Sequence, residues 1–274
     1  MPTRSRVAPE RSEETPAPVK LLWTSGWDST FRLLQLVLTH RLPVQPYYVF
    51  DESRAGAVQE LRTMAAIRKA IGEMSPEAGA LVRPSVIRAR HDIPPAGEIT
   101  RQFRRLEAQS FIGSQHDWLA RFALQEGIKG LELSVHADDN IATHLAGHVR
   151  PDGDGWVLSE DALETPLAIL RNYRFPLLQM TKQKMGGVAL KRGYRDILEM
   201  SWFCHDPLLG RPCGFCNPCR YALAEGMGYR IHPVLRTSMY RFIRRAAGTA
   251  RKHAWAVASG LLARLVGKSH ARRP

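Results

Sequence analysis

Cysteine is scarce in this sequence, with four in 274 residues, all of them between positions 204 and 219. No thiol outside that window is left to act as a nucleophile or a sulfur carrier, and so tight a cluster suggests metal rather than disulfides. Long apolar runs are missing too: none reaches the roughly 18 residues a membrane span needs. The opening stretch, MPTRSRVAPERSEETPAPVK, has no apolar core of the signal-peptide kind. Its Pro, Glu, Ser and Arg content predicts a disordered lead-in over residues 1–18, and the expected compartment is the cytoplasm. There is no internal repeat. Acid is absent from residues 226–274, which carry eleven Lys or Arg, so most of the formal charge of +13 sits there. The first 225 residues are close to neutral, and any electrostatic attraction to nucleic acid or anionic lipid belongs to the tail alone.

What is present alternates between strand and helix. The apolar run VKLLW at 19–23 ends at TSG and gives way to a helical pattern that buries Phe31, Leu33, Leu34, Val37 and Leu38. A second strand is predicted over Val44 to Phe50 and a helix from about Ala57 to Ile71. A third strand is expected near Leu81 to Arg88, confined by Pro84 to an edge or an end. A helix over His116 to Gln125 closes at Gly127, a fourth strand runs from Gly130 to Val135, and residues 149–165 read as a turn-rich insertion. Thr181 to Gly193 is a further helix. This order predicts an α/β fold, a parallel sheet with helices on both faces.

The segment W-T-S-G-W-D-S-T falls at the carboxyl end of the first strand and the start of a helix, where open parallel sheets bind their ligands. Thr24, Ser25 and Gly26 let the backbone approach an anion, and the helix start offers amide groups. Trp27, Ser29 and Thr30 complete the turn, with the two hydroxyls as added donors. An acid, Asp28, beside phosphate implies a bridging divalent cation, which suggests magnesium. A plain helix cap built from Ser and Asp is the alternative. The second landmark is Cys204-x8-Cys213-x2-Cys216-x2-Cys219. Four thiolates so spaced close a tetrahedral shell around a structural Zn2+, with an iron–sulfur cluster as the rival.

The first landmark resembles the S-G-G-x-D-S pyrophosphate loop of the ATP pyrophosphatase branch of the adenine-nucleotide alpha hydrolase superfamily. Thr24 stands for its first Ser and Ser25 for its first Gly. The cysteine spacing resembles that of the 7-cyano-7-deazaguanine synthase family, so the resemblance spans about residues 20 to 225. Between the landmarks, Y-Y-V-F-D-E-S-R, G-S-Q-H-D-W-L-A and P-L-L-Q-M-T-K-Q-K-M are similar to family segments.

The resemblance implies a Rossmann-like nucleotide-binding domain over 19–200 and a zinc-binding segment over 201–228; the shift in composition beyond Arg230 predicts a basic amphipathic helical tail over 229–274. It implies ATP held by Thr24, Ser25, Gly26, Trp27, Asp28, Ser29, Thr30 and Ser134, with Asp28, Ser29 and Lys182 as catalytic groups. Its chemistry is adenylation of a carboxylate on a 7-deazaguanine-like base, then attack by ammonia or a larger amine, giving an amide, nitrile or conjugate. Substrate contacts are expected from Arg54, Gln115, His116, Asp138 and Asp139. The family's Y-P-D-C-R segment has no counterpart in H-A-D-D-N-I-A-T-H-L-A-G-H at 136–148, which leaves the substrate open.

His144 and His148 are candidates for a second metal site, on the expectation that they share a helix face. A tRNA thiolase and a nucleotide-binding partner without catalysis are the competing functions, and a homodimer is the expected assembly. For the tail, docking on the enzyme's own body, contact with nucleic acid or an acidic protein, and binding to a membrane surface all fit its alternation of basic and apolar residues.

Overall fold

The computed structural model describes residues 16–236. Most of the expected lead-in and nearly all of the basic tail therefore lie outside the described residues. None of the described helices is long and apolar enough to cross a membrane. The chain divides into two compact units: one holds residues up to Glu52 with Glu60–Trp202, the other Ser53–Gln59 with the chain from Phe203 onward.

The first unit is an α/β fold built on a five-stranded parallel sheet flanked by helices. In chain order its elements are β1 (Val19–Leu22), α1 (Trp27–Leu34), β2 (Val44–Phe50), α2 (Ala57–Met74), α3 (Pro76–Leu81) and β3 (Val86–Ala89). There follow α4 (Gly97–Gln109), α5 (Gln115–Gln125), β4 (Leu131–Glu132), α6 (Asn140–Leu145), and the hairpin β5 (Val149–Asp152) and β6 (Gly155–Leu158). Then come β7 (Tyr173–Arg174), α7 (Lys182–Lys191) and α8 (Arg195–Glu199). The strand order β3-β2-β1-β4-β7 reverses direction at β1, so the loops after β1 and β4 open at the switch point where such sheets take ligands.

Local chemistry explains the boundaries. Ser75 caps α3 by accepting from the Ala78 N–H, and Pro76 follows at the first helical position. The third strand consequently starts later than its apolar pattern suggests: Leu81 ends a helix, Val82 makes an isolated bridge to Val44, Pro84 cannot donate to a ladder, and the strand proper is Val86–Ala89, at the sheet edge. The fourth strand is also shorter than expected. Leu133 still donates to Arg174 O, but the Val135 N–H turns back onto Leu133 O and takes the chain out of the sheet. The turn-rich insertion contains the antiparallel hairpin β5–β6. Beyond Leu34 the first helix widens into a π-helical turn, Gln35–Thr39, with the His40 N–H reaching Gln35 O.

One apolar core lies between the sheet and α4, α5 and the 3-10 turn Pro166–Leu170, filled by Phe103, Trp118, Phe122, Leu131, Tyr173 and Phe175. A charge is buried on α1, which packs against α7 and α8: the Arg32 side chain is only 2% exposed. It forms a two-pronged pair with Glu132, Nε and Nη2 each 2.7 Å from a carboxylate oxygen, and meets Asp154 at 2.9 Å. Burial works against the charge on Arg32, and Glu132 with Asp154 more than restores it. Arg174 joins Glu132 to Asp152 and Asp154, pinning the hairpin tip to the sheet.

Removing one partner of such a pair leaves an uncompensated buried charge, which costs about 3–5 kcal/mol. Glu132→Gln is therefore expected to lower the unfolding free energy by about that much in urea. Asp154→Asn, at a side chain 50% exposed, should cost under about 1 kcal/mol. Equal losses from the two would locate the strength of the network in the hairpin instead.

Candidate functional site

The loop after β1 is shaped by one strained residue. Ser25 has φ +56, in the left-handed region that a β-carbon disfavours, while Gly26 takes an ordinary extended φ of −66. Where the resembling loop carries its first glycine, this chain thus holds a serine in glycine's conformation. The Ser25 carbonyl accepts from the Trp202 N–H at 2.8 Å, which helps hold the turn in place. Ser25 is fully buried, and its hydroxyl has no hydrogen-bond partner. Ser29 closes the loop loosely: its hydroxyl accepts from the Thr24 N–H at 3.3 Å, and lies 3.4 Å from both Thr24 Oγ1 and Gly26 O.

Two residues of the loop face inward. Thr30 is fully buried, and its hydroxyl accepts from the Trp23 indole N–H at 3.2 Å. Trp27 is buried with the Arg195 guanidinium 5.0 Å from its ring centroid, which fixes α1 against α8.

Across the switch point, the chain leaving β4 brings Ser134, whose hydroxyl is also buried without a partner. Next comes His136, a residue the sequence pattern did not single out. It is buried, with Nε2 3.2 Å from Asp139 Oδ1, and its Nδ1 accepts the Asp138 N–H at 3.2 Å. Burial pulls the His136 pKa down, but the Asp139 hydrogen bond and the charges of Asp28 and Asp139 lift it above the ordinary value. Burial raises the Asp139 carboxyl, and His136 more than reverses this. Lys182, the first residue of α7 after its Thr181 cap, sets its Nζ 3.8 Å from Asp28 Oδ2. The sequence-predicted Asp28, Ser29, Lys182 and Asp139 therefore share one end of the sheet, together with Ser25, Ser134 and His136.

The remaining expected substrate contacts scatter. Asp138 is exposed, as is Gln115 at the start of α5. His116 is fully buried, and Asp139 and His144 are its charged neighbours; burial lowers its pKa to about 4. Arg54 belongs to the second unit, with Nη1 3.1 Å from the ring of His205.

His144 and His148 do not share a helix face. α6 ends at Leu145 and Gly147 has φ +77, so the chain has turned before His148. His144 bonds Ser110 at 2.6 Å and His148 lies 3.7 Å from Asp161. Among the described residues, only the four cysteines group as metal ligands. A cleft of about 500 Å³ beside this segment is lined by Ala137, Ala142, Ala146, Val149, Trp156 and Gln179, among others.

In the second unit, α9 (Asn217–Ala224) follows the cysteine segment. The four sulfurs lie within 4.8 Å of one another, with Cys213–Cys219 and Cys204–Cys216 both at 3.8 Å. No pair forms a disulfide. A tetrahedral zinc with bonds of about 2.3 Å holds its thiolates roughly 3.8 Å apart, so the donor set fits a single metal ion such as zinc. A cluster giving each thiolate its own iron would spread the sulfurs farther. The N–H groups of Phe215 and Cys216 point at Cys213 Sγ, both at 3.3 Å, and that thiol is held far below its ordinary range, chiefly by the Cys204 thiol. Gly214, at φ +72, has no room for a side chain, because a β-carbon would strike the Leu235 carbonyl.

Two outcomes test this geometry. Purified protein should carry one zinc per chain by elemental analysis, and Cys219→Ser should lose the ion and melt at a lower temperature. His116 is neutral in the fold and takes up a proton when unfolded. Its contribution is therefore whole above the ordinary histidine value of 6.5 and fades as the pH falls toward about 4. The loss is on the order of 3 kcal/mol, and a His116→Phe variant should flatten that part of the stability curve in urea melts. No family model matches this chain, and a search of curated proteins finds no match to it.

Proposed function

We propose that this chain binds ATP with magnesium where the loops after β1 and β4 meet and uses it to adenylate a carboxylate. The observation that carries the reading is Ser25, a non-glycine residue at φ +56 whose buried hydroxyl bonds to nothing, in an anion-type turn at the switch point. Backbone strain and an unsatisfied donor both cost stability, and a bound phosphate offsets them. Ser134, with a second unpartnered hydroxyl, supports it from β4.

In this mechanism the amides at the start of α1 and the Ser25 and Ser29 hydroxyls cradle the outer phosphates. Lys182 neutralises charge that grows on the departing pyrophosphate. The Asp28 carboxylate suits an oxygen-seeking cation, and magnesium would supply further charge neutralisation there. The carboxylate oxygen attacks the α-phosphorus, the bond to the bridging oxygen breaks, and pyrophosphate leaves. An amine then attacks the acyl carbon, loses a proton and expels AMP. His136, tied to Asp139 on the loop after β4, is the candidate to receive that proton.

The cleft with Trp156 and small residues suits a flat ring, and the sequence resemblance makes a 7-deazaguanine-like acid its expected occupant. Ammonia gives the amide, which a second adenylation converts to the nitrile, and a larger amine gives a conjugate. Thiolation is the weaker reading, because every cysteine of the chain lies in the metal cluster.

Incubation with magnesium-ATP, ammonium and 7-carboxy-7-deazaguanine, or other carboxylates and amines, should release pyrophosphate and AMP. Lys182→Ala should slow that release by at least tenfold. Ser25→Gly should weaken nucleotide affinity through the lost hydroxyl contact, while stabilising the apo chain by about 1 kcal/mol, since it relieves the left-handed strain. Absence of affinity for magnesium-ATP sinks the proposal. Affinity without turnover on any acid would leave a nucleotide-binding partner of a larger assembly, an outcome that the serine at position 25 permits.

A further inference from the structure

The cleft of about 500 Å³ beside the loop after β4 carries no charge, because none of the described residues lining it is acidic or basic. An ionised group entering it would lose hydration with no opposite charge to meet. A carboxylate is therefore held at the rim, and the uncharged part of its molecule goes in. The walls run straight to the groups of the switch point. Ala137 follows His136, α6 has Asp139 as its N-cap, and Gln179 precedes the Thr181 cap and Lys182 of α7.

The two walls are tied together. The Ala137 N–H donates to Met180 O at 2.9 Å, and the Met180 N–H donates to Leu177 O at 2.8 Å. The second bond closes a tight turn with Leu178 and Gln179 as its central residues. Leu178 packs against the apolar core, whereas Gln179 is exposed. The backbone that carries Gln179 is thus fixed from both sides.

Polar side chains in the lining are few. Trp156 can only donate, through its indole N–H. The Thr143 hydroxyl gives its proton to Asn140 O at 2.7 Å. Gln179 alone among the lining side chains keeps a donor and an acceptor to offer, side by side in one carboxamide. Such a group makes two parallel hydrogen bonds to a ring edge that sets a donor beside an acceptor. We propose that Gln179 determines which ring the cleft accepts: its carboxamide pairs with an edge of that kind, as a lactam has, and the ring's carboxylate stays at the rim. The inference rests on the adenylation reading in taking that acid as the substrate.

The test is binding of two acids to the full chain, with and without magnesium and a non-hydrolysable ATP analogue. One acid is 7-carboxy-7-deazaguanine. The other is 7-deazapurine-7-carboxylic acid, the same skeleton without the carbonyl and amino groups. The unaltered chain should hold the first about tenfold tighter, the worth of one or two neutral hydrogen bonds. Gln179→Met, similar in size and at an exposed position, should remove that preference by weakening the first acid alone, with the melting temperature unchanged. Equal weakening of both acids, or of neither, overturns the inference. Binding of neither acid, beside normal affinity for the ATP analogue, also overturns it and leaves the nucleotide site standing. Gln179-dependent binding of the lactam acid without affinity for the analogue does the reverse: it sinks adenylation and upholds the role of Gln179.

Discussion

Arg32 holds a full positive charge where water hardly reaches, and only a carboxylate meeting it at two points makes that position tolerable. The partner, Glu132, is the last residue of β4, so the pair fixes the direction of α1 against the central strands. α1 begins in the loop that carries Ser25 and Ser29, and β4 leads directly to Ser134 and His136. One buried ion pair therefore sets the spacing between the two loops at the switch point. An apolar pair of similar size would fill the volume without fixing register or rotation, because dispersion contacts have no direction. Arg174 extends the same constraint to the hairpin, through Asp152 and Asp154.

At the switch point above this rigid base, two buried hydroxyls go unmet and two opposite charges face each other. Ser25 is strained and lacks a hydrogen bond, Ser134 lacks one, and Asp28 and Lys182 face each other at 3.8 Å. Native interiors rarely leave buried hydroxyls unmet. On the proposed function, the meeting of Ser25 and Ser134 at the carboxyl ends of β1 and β4 marks a binding surface, since strain is kept where the surrounding structure over-determines it. The Trp202–Ser25 hydrogen bond and the packing of Trp27 under Arg195 supply that surrounding structure.

The sheet was legible in the sequence because its inner strands are continuous apolar runs: Val44 to Phe50 appears in the structure with the same ends. Short elements were not. β7, with two residues, was not read at all, and β4 was read as Gly130 to Val135 although only Leu131–Glu132 forms the strand, because such lengths are defined by pairing across the sheet. The four cysteines were legible as one site because metal spacing is local. His136 was not, because its role depends on Asp139, Asp28 and Lys182, two of them far away in sequence. The expected helix face joining His144 to His148 failed for a local reason, a turn at Gly147 that no apolar period reveals. Arg32 did not stand out in the sequence, since nothing nearby announces Glu132.

The distribution of sulfur limits what the switch point can do. Cys204, Cys213, Cys216 and Cys219 hold one another within 4.8 Å in the second unit, and the chain has no other thiol. The groups gathered by Ser25, Ser134, His136 and Lys182 are hydroxyls, an imidazole, an ammonium and carboxylates. Hydroxyls and an ammonium stabilise charge on phosphate oxygen, and an imidazole paired with a carboxylate can take a proton from an amine. Neither function supplies sulfur or electrons. In the proposed reaction a site so composed is suited to moving a nucleotidyl group between oxygen atoms and then releasing it as AMP when nitrogen takes the acyl group, with the thiolates left to the separate task of folding around a metal.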